Sequence, residues 1–284
     1  MLSFNPYDLP IRQRHQYMIG AVGPRPICWA STVDENGQPN LAPYSFFNGY
    51  SSNPPTLVFS SNRRGRDNTT KDTLENIQKT MEVVINVVPF NLVHQMNISS
   101  TDYRKGINEF EKAGVTAIAS ETVKPFRVKE SPVQFECKVK DIIALGNEGG
   151  AGNLFICEIQ KVHIDEAILD ENQQIDPHKI DLVGRMGGNY YVRASGKAVF
   201  EINNPFEKIN IGFDGLPEHI RTSKVLTGNE IAQLAMETEL PSSSEIEAAK
   251  TKHTCRNDFE ESFFHKAQKL IEQGNVREAL SILM

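Results

Sequence analysis

The chain has 284 residues, 39 % of them hydrophobic, enough for one large domain or two small ones and incompatible with disorder throughout. Its 30 lysines and arginines against 36 aspartates and glutamates give a formal net charge of −6. That balance excludes a broad nucleic-acid surface, which needs a basic stripe, and makes small molecules the expected partners. No apolar run reaches the ~18 residues that a membrane span needs. The opening Met1-Leu2-Ser3-Phe4-Asn5-Pro6 also lacks the basic-then-apolar pattern of a signal peptide, so the expected location is the cytoplasm, with no membrane.

In chain order, residues 25–33 read as a strand, Asp34-Glu35-Asn36-Gly37 as its turn, and 38–47 as the return strand. After Asn53-Pro54-Pro55, which stops any helix, Thr56-Leu57-Val58-Phe59-Ser60 is a third strand. Residues 72–80 are helical because Leu74, Ile77 and Met81 recur at three and four residues; Asp72, with Glu75 three later, is the expected N-cap. The β-branched run 81–88, ended by Pro89, is a fourth strand covered on both faces. Short helices are expected at 91–98 and 108–113, the second closed by Gly114. Two long strands follow, 132–145 and 154–164, joined by a flexible glycine-rich connection at 146–152.

Strands joined mainly by hairpins favour a mainly β fold, a closed antiparallel barrel with helices, over a βαβ sheet. From about Glu201 the character changes. Pro205, Gly212, Gly215 and Pro217 punctuate a polar segment, and helices are expected at 228–240 and 245–252. A helical hairpin is expected from Phe259 to the end, turning at Gly274-Asn275. The division is therefore 1–199, a barrel domain, and 200–284, a helical C-terminal extension packed on the barrel or on a second subunit.

Cys28, Cys137, Cys157 and Cys255 form no CxxC and read as buried hydrophobes of a reducing compartment. The seven histidines form no HxH or HExxH, so no metal is expected. The chemistry-bearing stretch is Arg63-Arg64-Gly65-Arg66-Asp67-Asn68-Thr69-Thr70-Lys71-Asp72-Thr73, a basic loop running into a helix start. Unpaired N–H groups, the helix dipole, Lys71 and Thr73 can converge there on a phosphate, although a solvated basic loop is the alternative. No Walker pattern is present. Ser31-Thr32 are either strand hydroxyls or ligand contacts, and Asn48 is either a turn residue or part of an aromatic, amide-bearing cluster suited to a planar heterocycle with a phosphate tail.

Ordered motifs then carry a resemblance over roughly residues 20–195. They are Pro24-Arg25-Pro26-Ile27-Cys28-Trp29-Ala30-Ser31-Thr32-Val33-Asp34, Asn40-Leu41-Ala42-Pro43-Tyr44-Ser45-Phe46-Phe47-Asn48, Asn53-Pro54-Pro55 and Lys71-Asp72-Thr73-Leu74-Glu75-Asn76-Ile77. Met96-Asn97 with Ser99, Glu109-Phe110, Ser131 to Cys137 and Gly184 to Tyr191 extend the set. Together they resemble the flavin reductase-like, FMN-binding split-barrel family, in its flavoredoxin-type branch. The resemblance implies a homodimer of six-stranded split barrels with FMN near the dimer interface. Carried over, Ser31, Thr32 and Val33 line the isoalloxazine edge through backbone groups and Asn48 lies close to the ring. Ser60, Ser61 and Arg63 approach the phosphate from the strand side and Lys71, Asp72 and Thr73 from the helix start, ahead of Arg64 and Arg66 in weight; Asn97 and Tyr191 are further contacts. The short reductases share a Gly-Asp-His motif tied to nicotinamide use, where this chain has Gly150-Ala151-Gly152-Asn153; His163 either nears the flavin or merely ends a strand.

The implied activity is NAD(P)H:flavin oxidoreduction by hydride transfer to flavin N5, with no catalytic side chain assigned. The alternatives are a flavoredoxin-like FMN carrier serving a protein electron partner, and a non-enzymatic flavin-binding interaction protein.

Overall fold

The computed structural model describes residues 1–202, 208–253 and 260–284; Pro205, Cys255 and Phe259 lie outside them. The chain separates into two compact units, Met1–Phe200 and Glu201–Met284.

The first unit opens with helix α1 (Ile11–Ala21), which the sequence reading did not anticipate and which buries none of its own residues. Strands β1 (Cys28–Val33), β2 (Pro39–Tyr44), β3 (Phe47–Ser52) and β4 (Pro55–Asn62) follow, so four strands, rather than three, precede the helix α2 (Asp72–Thr80). Next come β5 (Glu82–Val87), helices α3 (Val93–Ile98) and α4 (Glu109–Ala113), and the short pair β6 (Ala117–Ile118) and β7 (Arg127–Val128). The long hairpin β8 (Val133–Ala144) and β9 (Gly152–Ile164) and the ribbon β10 (Val183–Arg185) and β11 (Tyr191–Arg193) complete the unit. The turn at 34–37 forms as expected: Asp34 Oδ1 accepts from the Asn36 and Gln38 amides, and Gly37 takes a φ of +82° that favours glycine.

One antiparallel sheet carries the order β2-β1-β5-β8-β9-β4-β3. Its two end strands, β2 and β3, are consecutive in sequence and are not hydrogen-bonded to each other. The sheet therefore has seven strands rather than six, and the barrel is split, as the family resemblance implies, rather than closed as the hairpin pattern alone suggests. It rolls because the inward faces share one core: Cys28 and Ala30 of β1, Tyr44 of β2, Phe59 of β4, Ile85 of β5, and Phe155 and Cys157 of β9. The Tyr44 and Phe59 rings, from opposite ends of the sheet order, lie 5.3 Å apart. The outer face of β1 is also covered, because Trp29 packs with Leu92 and Met96 of the α3 region and Phe110 of α4. Trp29 is fully buried and its indole N–H donates to Ser99 Oγ at 2.8 Å.

The alternation of β8 does not divide simply into core and solvent. Gln134 and Glu136, on its polar face, are buried under the segment 119–128. Burial alone would raise the Glu136 pKa, but donors from the Thr122 hydroxyl and amide, the Glu121 amide and His163 outweigh it and hold the carboxyl down to about 2. His163 Nε2 stands 2.7 Å from Glu136 Oε1, so the strand-end histidine is a partner of that carboxylate.

The second unit contains α5 (Gly212–Gly215), α6 (Glu218–Arg221), α7 (Gly228–Ala235), α8 (Ser243–Lys252), α9 (Glu260–Glu272) and α10 (Val276–Leu283). Its buried cluster, with Leu216, Ile220, Leu234, Leu270, Leu280 and Ile282, is drawn entirely from its own residues. Capping boxes at Thr227/Glu230 and Ser242/Glu245 start α7 and α8. Arg277 on α10 forks onto Glu245 at 2.9 and 3.1 Å and reaches Glu237 at 3.3 Å. Gly274, at a φ of +80°, makes the expected turn between α9 and α10.

The native Glu136 carboxyl titrates below its ordinary value of 4.5, so the folded protein binds fewer protons than the unfolded chain between pH 4.5 and about 2. The stabilisation it supplies is complete above pH 4.5 and is lost as pH falls through that window. Urea unfolding is expected to show Glu136→Gln about 2–4 kcal/mol less stable at pH 7. The difference from wild type should shrink on acidification; a difference independent of pH from 6 to 2.5 would contradict this account.

Candidate functional site

Helix α2 begins where three elements are knotted by buried amides. Asn40 of β2, directly across from Thr32 of β1, donates from Nδ2 to Thr32 Oγ1 at 3.1 Å and to Thr73 Oγ1 at 3.0 Å. Asn76, one turn into α2, donates to the same Thr32 oxygen at 3.0 Å. The helix N-cap is Lys71 rather than Asp72, and no side chain caps it; Asp72 is instead the first helical residue, favoured there by the helix dipole. The left-handed C-cap at the other end falls on Met81, φ +54°.

A cavity of about 370 Å³ opens at this helix start, large enough for part of a small organic ligand. Asn40, Ala42, Pro43 and Tyr44 of β2, Arg64 to Arg66, Lys71 to Thr73, Ser99 to Tyr103, and Glu109 line it. The Lys71 ammonium lies 5.0 Å from the centre of the Tyr44 ring, a cation–π contact, with no carboxylate at ion-pair distance among the described residues. Burial and then the neighbouring Arg64 charge lower its pKa, while Asp102 acts the other way. The Tyr44 hydroxyl faces Thr73 and Ser61, and burial pushes its pKa up to about 12. The Thr73 and Ser61 hydroxyls beside it act the other way on that pKa, but the Tyr44 hydroxyl, Ser61 Oγ and Ser31 Oγ close no hydrogen bond of full geometry. Buried hydroxyls without partners are rare in folded proteins. Burial also raises the Glu109 pKa, although its Oε2 accepts the Leu41 amide at 3.1 Å.

The loop before the helix is a compact turn. Asp67 Oδ1 accepts from the Thr69 hydroxyl at 2.7 Å and amide at 3.1 Å, and these donors draw its pKa down to about 2. Asn68 adopts a positive φ of +57° and receives both Nε and Nη2 of Arg63 at 2.6 Å. Arg63 is thus committed within its own loop, whereas Arg64 and Arg66 reach the cavity wall. The glycine-rich connection at 146–152 is tethered to this turn: Arg63 N donates to Ala151 O at 2.8 Å and Gly150 N to Arg63 O at 3.0 Å. Gly149 lies so close that an added Cβ would stand 3.2 Å from the Arg64 carbonyl oxygen.

Of the residues singled out from sequence, Lys71, Asp72 and Thr73 line the cavity, while Ser61 is buried beside the Tyr44 hydroxyl and does not line it. Ser31, Thr32 and Val33 are buried in β1; Ser31 is flanked by β2 and β5, while Thr32 and Val33 pair with β2 alone. Ser60 Oγ donates to Asn62 at 3.1 Å. Asn48 is exposed on β3, its side chain accepting the Gly49 amide. Asn97 is exposed on α3 and Tyr191 packs under Arg185, whose guanidinium is 4.5 Å from the ring centre. None of these three lines the cavity. Asn40, Tyr44, Arg64, Asp102 and Glu109 were not singled out as site residues, although Asn40, Tyr44 and Glu109 stand within the motifs quoted above.

A family model described as flavin reductase like domain matches residues 22–180. A protein of Aquifex aeolicus (strain VF5) is 38 % identical over 188 residues, covering 66 % of this chain and 93 % of that one. Nitrilotriacetate monooxygenase component B from Bacillus cereus is 28 % identical with a TM-score of 0.66, over 71 % of this chain and 98 % of that one. The 2-nitrobenzoate 2-nitroreductase of Pseudomonas fluorescens is 28 % identical with a TM-score of 0.61, over 71 % and 96 %. Residues 201–284 lie outside the family match.

Because the Tyr44 hydroxyl is buried without a partner, its removal relieves a desolvated polar group. Tyr44→Phe is expected to leave the ligand-free protein as stable as wild type or up to about 1 kcal/mol more stable in urea unfolding. A loss of stability would show that the hydroxyl is already satisfied by protein.

Proposed function

Because this chain belongs to the flavin reductase-like family, we propose that it binds FMN, with the phosphate received at the start of α2, and that it works as an oxidoreductase. The observation that carries this reading is Lys71, a half-buried ammonium at a helix N-terminus that no side chain caps, with no carboxylate at ion-pair distance among the described residues. An anionic ligand group satisfies the ammonium and the helix dipole together. Arg64 and Thr73 line the same cavity and supply further donor types beside it, so the residues present fit a phosphate monoester.

In this reading Lys71 and Thr73 hold the phosphate, Asn40 fixes the Thr73 rotamer through the 3.0 Å bond, and β1 offers the edge at Thr32 and Val33 that β5 does not cover. When bound, the flavin supplies hydride acceptance at N5, with NAD(P)H as the electron donor. The redox assignment is supported by the names of the two similar solved proteins, a monooxygenase component and a nitroreductase. We also assign a cytoplasmic homodimer. In support, the N-terminal segment exposes Leu2, Phe4, Tyr7, Ile11, Tyr17 and Met18, an apolar surface that a second copy would cover.

An absorbance spectrum and FMN titration of the purified chain test the reading, which fails if FMN does not bind. Lys71→Ala is expected to weaken FMN binding by about 1.5–3 kcal/mol, roughly 10- to 150-fold, with riboflavin affected far less. Anaerobic titration with NADH and NADPH then separates a reductase, whose flavin bleaches, from a carrier reduced only by a protein partner.

A further inference from the structure

Three charged groups at the cavity form a bridge that the FMN reading does not use. Arg64 Nη2 stands 2.6 Å from Asp102 Oδ1, and Arg66 Nη2 contacts Asp102 Oδ2. One carboxylate thus occupies two guanidinium groups, joining the basic loop to the segment 99–103 across the wall of the cavity. Asp102 is 41 % exposed, so it is not a buried structural counter-ion. Arg64 does not need it for orientation, because Nη1 is held separately by the Thr70 carbonyl and by Thr69 Oγ1, the latter at 3.2 Å. Arg66 has a second carboxylate in Asp67 at 3.1 Å. What Asp102 consumes is the Nη2 end of Arg64, an anion-binding fork on the cavity wall within electrostatic reach of Lys71.

We infer that Asp102 is a built-in competitor for the ligand's phosphate, a specificity-determining carboxylate that holds the Arg64 fork against weak anions and yields it to a phosphate monoester. The inference rests on the reading of this cavity as a phosphate site. A phosphate monoester carries about −1.5 to −2 charge and three acceptor oxygens, so it can outcompete a single carboxylate for a guanidinium; a monoanionic carboxylate cannot. The competition lowers affinity for every anion by the same factor, so that only an anion held strongly by the free fork stays bound at working concentrations.

Asp102→Asn keeps the shape and an acceptor while removing the charge. Calorimetry on the full chain, wild type and variant, would titrate FMN, riboflavin, inorganic phosphate and acetate. The variant is expected to bind FMN and inorganic phosphate about tenfold more tightly, about 1.4 kcal/mol. It should gain measurable acetate binding, show a steeper loss of phosphate affinity with salt, and leave riboflavin within about twofold. In an Arg64→Gln background the gain should vanish, which a merely structural role for Asp102 does not produce. FMN and phosphate affinities that stay the same, fall, or rise no more than riboflavin's would overturn the inference. If the wild type binds no FMN, the functional reading fails by itself; the phosphate titrations still decide, since a gain in the variant upholds the competitor role and no gain overturns it.

Discussion

The amide of Asn40 is the joint on which the site depends. One Nδ2 group donates to hydroxyls on β1 and α2, so a helix start is fastened to the sheet by a polar contact inside a buried environment. In low dielectric such a bond must be made, because an unmade one leaves desolvated hydroxyls. Its satisfaction fixes where α2 begins and therefore where Lys71 and Thr73 stand. A second buried contact, from the Trp29 indole to Ser99, performs the same service for the opposite wall, since Ser99 begins the segment that ends at Tyr103.

Around that joint the charges are unevenly matched. Arg64, Arg66 and Lys71 face the cavity together with Asp72, Asp102 and Glu109, so the lining carries no large net excess. Position decides the chemistry instead. Both arginines are spent on Asp102, and Glu109 has its acidity suppressed by burial, while Lys71 has an aromatic face for a neighbour and, among the described residues, no carboxylate at ion-pair distance. Coulomb energy between exposed partners is small in water, but a partly desolvated ammonium at a helix N-terminus attracts an anion far more strongly.

Much of this architecture is legible in the residues. The spacing of Leu74 and Ile77 places α2 at its observed bounds, Gly114 and Gly274 take the positive φ their positions ask for, and the β-branched run after Met81 becomes β5. The family motifs end before the second unit, whose core and capping boxes follow from helical periodicity and from Thr227 and Ser242. Strand β3 is not legible locally, because Asn48, Gly49, Ser51 and Ser52 are weak strand formers that read as a turn leading to Asn53-Pro54. Helix α1 escaped because a helix that buries nothing shows no apolar stripe.

By itself the sequence determined the types of most elements, the family and the basic loop at a helix start, because period, turn residues and motif order act over a few neighbours. The tertiary structure decided which cations remain available. Arg63 and Arg64 are adjacent and chemically identical, yet one closes onto Asn68 and the other crosses to Asp102. That choice belongs to the packing of segments 36 to 38 residues apart in the chain, and no local pattern encodes it. The same holds for Tyr44 and Thr73, brought together by the rolling of the sheet and the docking of α2 beside the half-buried Lys71.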